Sequence, residues 1–449
     1  MTPNGEKSIL LLGAGLVTRP LVEYLLDIPE FKMTIASRTI AKAHALIGNH
    51  KNGTAKAFDI ESDPSEMLDD LIKGCDLVIS LLPAMYHPVI AEAAIKHGKQ
   101  MVTTSYVSPA MAKLDKAAKD AGILCLNEVG LDPGIDHMSA MRVINKVKSD
   151  GGKVTSFRSY CGGLPAPEAN TNPWGYKFSW SPRGVVLAAR NSAKYLEDGK
   201  IVQILGEDLF DHYHLVKLDE MKEPFEAYAN RDSMPYIELY GLKDAKTMYR
   251  GTFRYVGHCI TWKRLADVGY FDVEVLTNLD DLSYRDFTAT LADLTNDSNL
   301  EKAISEKFDI PNNPPVIAKW TWLGLFDKSK PLPNTESSPL DILVAAFLEK
   351  LQYEPGERDM VALHHMFTAE YPDRKEKITS TLVDFGIPNG DTSMARTVGL
   401  PAAVAVKMIL HGQIKMTGVH IPVVPEIYEP ILNELEGMGI KFTERVLKI

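Results

Sequence analysis

The chain has 449 residues, 45% of them hydrophobic, and a formal net charge of −10. That length exceeds what one core can bury and predicts two or three domains, while the acidic balance excludes a face built for nucleic acid or an anionic membrane. Cys75, Cys125, Cys161 and Cys259 include no C-x-x-C pair, which argues against a disulfide framework or a zinc site, so no metal is expected.

The apolar run at 8–12 (SILLL) leads into GAGLVT at 13–18, a strand that breaks on two glycines and continues as a helix. Gly13 permits the tight bend. Gly15, having no Cβ, lets the backbone approach a pyrophosphate at the positive end of the helix, and Thr18 stands where a third Gly or Ala is usual. Glu6 and Lys7 directly precede the strand, leaving no room for a signal peptide, and no apolar run reaches the length of a membrane span. A cytoplasmic protein is expected.

Glycine turns also close ordinary strand–helix loops, so the rhythm of the next hundred or so residues decides the reading. A strand is predicted at 33–36, then a helix at 40–47 with Thr39 as N-cap and Gly48 as its end. Asp63-Pro64 starts the next helix and Gly74 stops it; a buried strand at 76–80 and a helix at 88–97, closed by Gly98, come after. A strand ending at Val102, a helix over 109–121 and a strand over 123–126 complete the series. This alternation predicts a Rossmann-type doubly wound parallel sheet with ligand at the carboxyl ends of its strands, and Cys75 and Cys125 read as core residues.

After the second strand, where NAD-binding folds usually carry an acidic ribose ligand, stand Ser37, Arg38 and Thr39. A carboxylate would repel a 2′-phosphate, whereas a guanidinium pairs with it through two parallel hydrogen bonds, which predicts NADP(H). The bland alternative for Arg38 is a solvated side chain at a strand end.

The run NEVGLDPGIDH at 127–137 ends the last strand in a sharp turn, followed by a helix over 136–148. Asp132 in that turn is either a site residue or an Asp-Pro turn former. Adjacent helical residues point apart, so Asp136 reads as an N-cap and His137 as a packed histidine. Stretches rich in Pro, Asn and Ser at 311–315 and 328–339 predict loops.

Further along stand the motifs SYCGGLPAP (159–167) and NPWGYKFSWSPRG (172–184). Together with TTSYVSP (103–109), GLDPG (130–134), NRD (230–232), RGTFRY (250–255), STLVDFG (380–386) and ARTVGLP (395–401), they resemble the saccharopine reductase family, the glutamate-forming saccharopine dehydrogenases. The resemblance implies a Rossmann domain at 1–133, completed by 392–449, with the helix at 394–410 returning to it. It also implies a mixed α/β substrate-binding and dimerisation domain at 134–391 with a small helical insert at about 262–325, in a homodimer. The chemistry implied is reduction by NADPH of the imine between 2-aminoadipate 6-semialdehyde and L-glutamate, giving saccharopine, in lysine biosynthesis.

By the same resemblance, Ser105, Tyr106, Asp132, Ser181, Arg231, Thr252, Phe253 and Arg254 are expected to bind substrate. Gly13, Ala14, Gly15, Leu16, Val17, Ser37, Arg38, Thr39, Asp59, Ile60, Leu82, Thr104, Ser105, Leu131, Asp132 and Pro133 are expected to bind cofactor. Proton transfer needs a donor and acceptor, for which Asp132, Tyr106 and Cys161 are the candidates by type. Three alternatives stand beside this reading: an NAD-linked member running in lysine breakdown, a carboxynorspermidine-type imine reductase, and a non-catalytic nucleotide sensor.

Overall fold

A computed structural model describes residues 5–312, 315–333 and 335–449. The loops expected at 311–315 and 328–339 include positions 313, 314 and 334, which lie outside the described residues. The chain divides into two units, Met1–Lys153 with Gly390–Thr443, and Val154–Asn389 with Glu444–Ile449.

The first unit contains strands β1 (Lys7–Leu12), β2 (Phe31–Ser37), β3 (Gly53–Ala57), β4 (Leu77–Ser80), β5 (Gln100–Thr103) and β6 (Leu124–Leu126), with a seventh strand at Gly418–His420. Their order is Gly418–His420, β6, β5, β4, β1, β2, β3, and all neighbours are parallel. β1 takes the centre because Ile9, Leu10, Leu11 and Leu12 are apolar on both faces and wholly buried. The chain moves outward from β1 to β3, then resumes at β4 on the other side. Strand order therefore reverses between β1 and β4, which is where such sheets bind ligands.

Several local expectations need correction. β3 (GTAKA) has no apolar run, because it is a largely exposed edge, and periodicity does not reveal it. The helix expected over 109–121 is two short ones, Pro109–Ala112 and Asp115–Asp120. Thr39 occupies the N-cap of helix Ile40–Ile47 without a capping side-chain bond; its amide donates to Ser37 Oγ at 3.2 Å. Asp136 is not the N-cap of helix Ile135–Ser149, a place held by Gly134, but its Oδ1 accepts the Gly134 N–H at 2.6 Å from within the first turn.

Helix Ser393–Leu410 packs on helix Arg19–Leu26 at the start of the unit. A Cβ on Gly399 would lie 2.9 Å from the Val17 carbonyl oxygen. The two helices therefore approach closely only because position 399 is glycine. This helix is long and apolar enough to cross a membrane, contrary to the expectation that no run reaches that length. Its composition is that of a core helix, since 78% of it is buried in the fold.

The division of the chain also differs from the expected boundary at 133. Helix Ile135–Ser149 belongs to the first unit, tied to helix Pro425–Gly437 by Arg142, which donates to Glu429 at 3.1 Å and Asn433 at 2.8 Å. The C-terminal strand Thr443–Lys448 leaves that unit and forms an edge of the second sheet.

The second unit is a mixed nine-stranded sheet with helices. Its strands are β7 (Lys153–Pro165), β8 (Ala193–Glu197), β9 (Lys200–Ile204), β10 (Tyr213–Val216), β11 (Phe225–Ala229), β12 (Thr247–Tyr255), β13 (Asp359–Glu370) and β14 (Lys375–Phe385), with Thr443–Lys448 last. The main order is β10, β11, β12, β7, β13, β14, Thr443–Lys448; β8 pairs with β12, and β9 with β8. The helical region is longer than the expected 262–325: it starts at His258–Val268 and ends with Pro339–Lys350. It is part of the unit's core, where Trp262 stacks on Phe347 with centroids 5.7 Å apart.

Candidate functional site

In the first unit, the expected cofactor residues follow the carboxyl ends of successive strands. Gly13, Ala14, Gly15, Leu16 and Val17 follow β1, and Ser37, Arg38 and Thr39 end β2. Asp59 and Ile60 come after β3, Leu82 after β4, Thr104 and Ser105 after β5, and Leu131, Asp132 and Pro133 after β6. Gly13 adopts φ +111°, and a Cβ there would meet the Leu81 carbonyl at 3.1 Å, so the loops after β1 and β4 touch. A Cβ on Gly15 would meet no protein atom within 4 Å, which fits a backbone that a pyrophosphate approaches. Arg38 is exposed beyond the second strand, where a 2′-phosphate would meet it.

The residues of this unit expected to bind substrate, Ser105, Tyr106 and Asp132, lie at or beside the turn at 130–134. Gly134 adopts φ +150°, and any Cβ would collide with the Gly130 carbonyl oxygen at 2.0 Å. Asp132 is half-buried and accepts the Tyr106 hydroxyl on Oδ1 at 2.6 Å. Glu128, itself at φ 58°, clamps the segment that carries Tyr106. Its Oε1 accepts the Val107 N–H at 2.9 Å, and its Oε2 meets His137 Nε2 at 2.7 Å. Beside Tyr106, the Ser105 hydroxyl lies 2.8 Å from Nε2 of the buried His87.

In the second unit, Arg254 on β12 is 7% exposed, and its neighbour across the ladder is Glu226 on β11. Glu226 is committed elsewhere: its two oxygens each accept a backbone N–H, from Gly257 and Cys259, at 2.7 Å, at the start of helix His258–Val268. Arg254 is left with one bond, from Nη1 to the Phe253 carbonyl at 2.8 Å, and with the faces of Tyr176 and Tyr228 at 5.1 and 6.0 Å. Its Nε is buried without a partner. A buried guanidinium lacking a carboxylate partner is costly, and an arriving carboxylate would repay that cost.

Cys161 and Thr252 are paired across β7 and β12. Burial first, then the charges of Arg254 and Lys319, holds His258 well below the ordinary histidine range, so it is neutral beside them. Ser181 caps helix Pro182–Ala188 by accepting the Gly184 N–H at 3.2 Å. Arg231 sits exposed in a turn at φ 55°, a strained conformation for a residue with a side chain. Phe253 requires a correction. Alternation along β12 puts its ring on the face opposite Arg254, stacked on Tyr160 at 5.2 Å, so it can serve binding only through its backbone.

A cavity of about 600 Å³ on that opposite face is lined by Arg158, Tyr160, His214, Tyr249 and Lys377. Two of its cations are paired within its own walls, Arg158 with Glu197, and Arg445 with Asp219 and Glu220. Cys75 and Cys125 are buried in the first core, and burial pushes both thiols up to about 12, as expected of packing residues. Among the described residues no group of three His, Cys, Asp or Glu could hold a metal ion. His87, Glu128, Glu226 and His258 were not anticipated as parts of the site, since each acts through partners that no short motif brackets.

Comparison with known proteins agrees with both halves. The saccharopine dehydrogenase NADP binding domain model matches residues 9–126, and the saccharopine dehydrogenase C-terminal domain model matches 130–440. The chain belongs to the saccharopine dehydrogenase family. It is 43% identical to saccharopine dehydrogenase [NADP(+), L-glutamate-forming] of Schizosaccharomyces pombe, over 98% of this chain and 99% of that protein. It is 37% identical to alpha-aminoadipic semialdehyde synthase of Bos taurus, over 98% of this chain but 48% of that protein. Among solved structures, apo saccharopine dehydrogenase (L-Glu forming) from Saccharomyces cerevisiae aligns with TM-score 0.87 and 39% identity, over 98% of this chain and all of that one. A homospermidine synthase from Legionella pneumophila aligns at TM-score 0.58 and 10% identity, a likeness of fold alone.

Proposed function

We propose that the protein reduces, with NADPH, the imine formed between 2-aminoadipate 6-semialdehyde and L-glutamate, giving saccharopine reversibly, as a step of lysine biosynthesis. The observation that carries this reading is the buried Arg254 guanidinium, which has no carboxylate of its own, in a chain whose similarity to glutamate-forming enzymes is full-length. Saccharopine has three carboxylates, and a protein of net charge −10 must meet them with local cations.

In the second unit Arg254 and Arg231 bind substrate carboxylates, with hydroxyls from Thr252 and Ser181; in the first unit the substrate-binding hydroxyl is that of Ser105. Condensation of aldehyde and amine expels water, which needs a proton delivered to the carbinolamine hydroxyl. The Tyr106–Asp132 pair is suited to this, since the phenol donates and the carboxylate receives and stabilises positive charge on the imine nitrogen. NADP(H), when bound, supplies the hydride to the imine carbon. Arg38 meets the 2′-phosphate, and the turn at Gly13 and Gly15 meets the pyrophosphate.

A homodimer is part of this proposal. It is supported by exposed apolar side chains on both edge strands of the second sheet, Tyr213 and Leu215 on β10 and Val446 and Leu447 at the other edge. We place the protein in the cytoplasm. Light scattering giving the mass of one chain would overturn the dimer. For the reaction, NADPH oxidation is followed with the semialdehyde and glutamate, then with NADH, and then with other amines including diaminopropane. Rapid turnover of the semialdehyde is expected only with NADPH as cofactor and glutamate as amine. Preference for NADH or for diaminopropane would favour one of the alternative imine reductases.

A further inference from the structure

His87 is the first residue of helix His87–His97, and its ring is 1% exposed. Nδ1 lies 2.9 Å from Ser80 Oγ at the end of β4. Nε2 lies 2.8 Å from Ser105 Oγ and 3.2 Å from Thr103 Oγ1 at the end of β5. One imidazole therefore joins the carboxyl ends of two adjacent strands to the hydroxyl of a residue assigned to substrate binding. Burial pushes its pKa down to about 4, so the ring is neutral at working pH and carries a single N–H. A neutral ring leaves one nitrogen as donor and the other as acceptor, and the Ser80 hydroxyl, itself fully buried, turns to match whichever faces it. The Ser105 hydroxyl likewise matches Nε2, and with that side taken its remaining hydrogen-bonding capacity faces away from the ring. The Ser105 carbonyl is fixed too, accepting the Glu128 N–H at 3.1 Å.

We propose that His87 is a positioning residue of the reaction, holding the Ser105 hydroxyl in the orientation in which it meets the substrate. The proposal rests on the reading of Ser105 given above. Three hydroxyls surround this ring, Ser80 from the end of β4 and Thr103 and Ser105 from the end of β5, so the buried imidazole is satisfied on both nitrogens and one of its partners is the residue assigned to substrate binding. The Ser105 hydroxyl is thereby ordered before substrate arrives, so its rotamer entropy is already lost when the complex forms.

Two replacements separate positioning from packing. His87→Asn keeps an amide within reach of Ser80 but too short for Ser105, whereas His87→Gln reaches toward Ser105. The measurements are KM and kcat for saccharopine oxidation, calorimetric affinity for saccharopine and for NADPH, and thermal melting. His87→Asn is expected to raise the saccharopine KM and Kd about five- to tenfold, the scale of one hydrogen bond, with kcat and NADPH affinity little changed. His87→Gln recovers most of the loss while melting no higher than the Asn variant. In a Ser105→Ala background, His87→Asn should cost nothing further. A KM penalty that persists in that background, or equal penalties from Asn and Gln, would overturn the proposal. If Ser105→Ala alone leaves saccharopine affinity intact, the assignment of Ser105 fails and the proposal with it, while turnover of glutamate and the semialdehyde still tests the activity.

Discussion

The Tyr106 phenol donates to Asp132 Oδ1 at 2.6 Å, joining the loop after β5 to the turn after β6. Both residues are half-buried, and the turn beneath them is fixed by Gly134, where no Cβ fits. Asp132→Asn keeps the shape and much of the hydrogen bonding but removes the charge. Its kcat is expected to fall about a hundredfold or more, the size of a general acid–base contribution, with melting temperature and NADPH affinity near wild type. A several-fold loss would assign Asp132 to positioning, and wild-type turnover would remove it from the mechanism, leaving Tyr106 and Cys161 as proton carriers.

The proposed role of Arg38 is to select the cofactor. Arg38→Asp should invert the preference, weakening NADPH by roughly ten- to a hundredfold, since a charge-assisted pair contributes about 1.5–3 kcal/mol. Calorimetric titration with NADPH and NADH measures both arms. A wild-type enzyme using the two cofactors equally would contradict the assignment.

In the proposed reaction Arg254 and Arg231 meet substrate carboxylates and not the cofactor. Alanine at either should reduce saccharopine affinity about thirtyfold or more, within the roughly 2–5 kcal/mol range for truncating a charged hydrogen-bonding partner, and leave NADPH binding nearly intact. Arg254→Lys should not restore it, because a single ammonium cannot reproduce the planar fork. Equal losses for both ligands would indicate unfolding or a misplaced site.

Lys177 and Glu357 provide a stability test. Lys177 is 4% exposed and donates to both Glu357 oxygens, at 2.5 and 2.6 Å. Burial works to raise the Glu357 pKa, but the bond from Lys177 prevails and holds it below the ordinary range. A carboxyl depressed on folding adds stability that is fully present above its unfolded pKa of about 4.3 and is lost as pH falls through the lower folded value. Lys177→Met should therefore cost about 3 kcal/mol at neutral pH and flatten the decline in melting temperature below about pH 4. An unchanged acid limb in the variant would show that other carboxyls set it.

The turn at Gly13 and Gly15, the alternation of strands and helices, and Arg38 were legible because each is local: a few consecutive residues fix the backbone or present the charge. Edge strand β3 was not, since half of its residues face solvent and lack a pattern. Arg254 stood out only by family resemblance. Its meaning depends on Glu226, which lies 28 positions away in the chain and is occupied by the N–H groups of Gly257 and Cys259. His87 is similar, because Ser80, Thr103 and Ser105 gather around it only when β4 and β5 lie side by side. The discontinuous first unit could not be read from periodicity, which identifies helix Ser393–Leu410 without saying which sheet it covers.

That discontinuity has a temporal side. On the ribosome, strands β1 to β6 emerge first, but helix Ser393–Leu410 and strand Gly418–His420 are made only after Val154–Asn389 is complete. At roughly 5–20 residues per second the delay is about ten to fifty seconds. Throughout that interval Leu21 and the neighbouring apolar face of helix Arg19–Leu26 have no Gly399 to close against, and β6 is an unpaired edge. The first unit is thus completed only after the second has been synthesised.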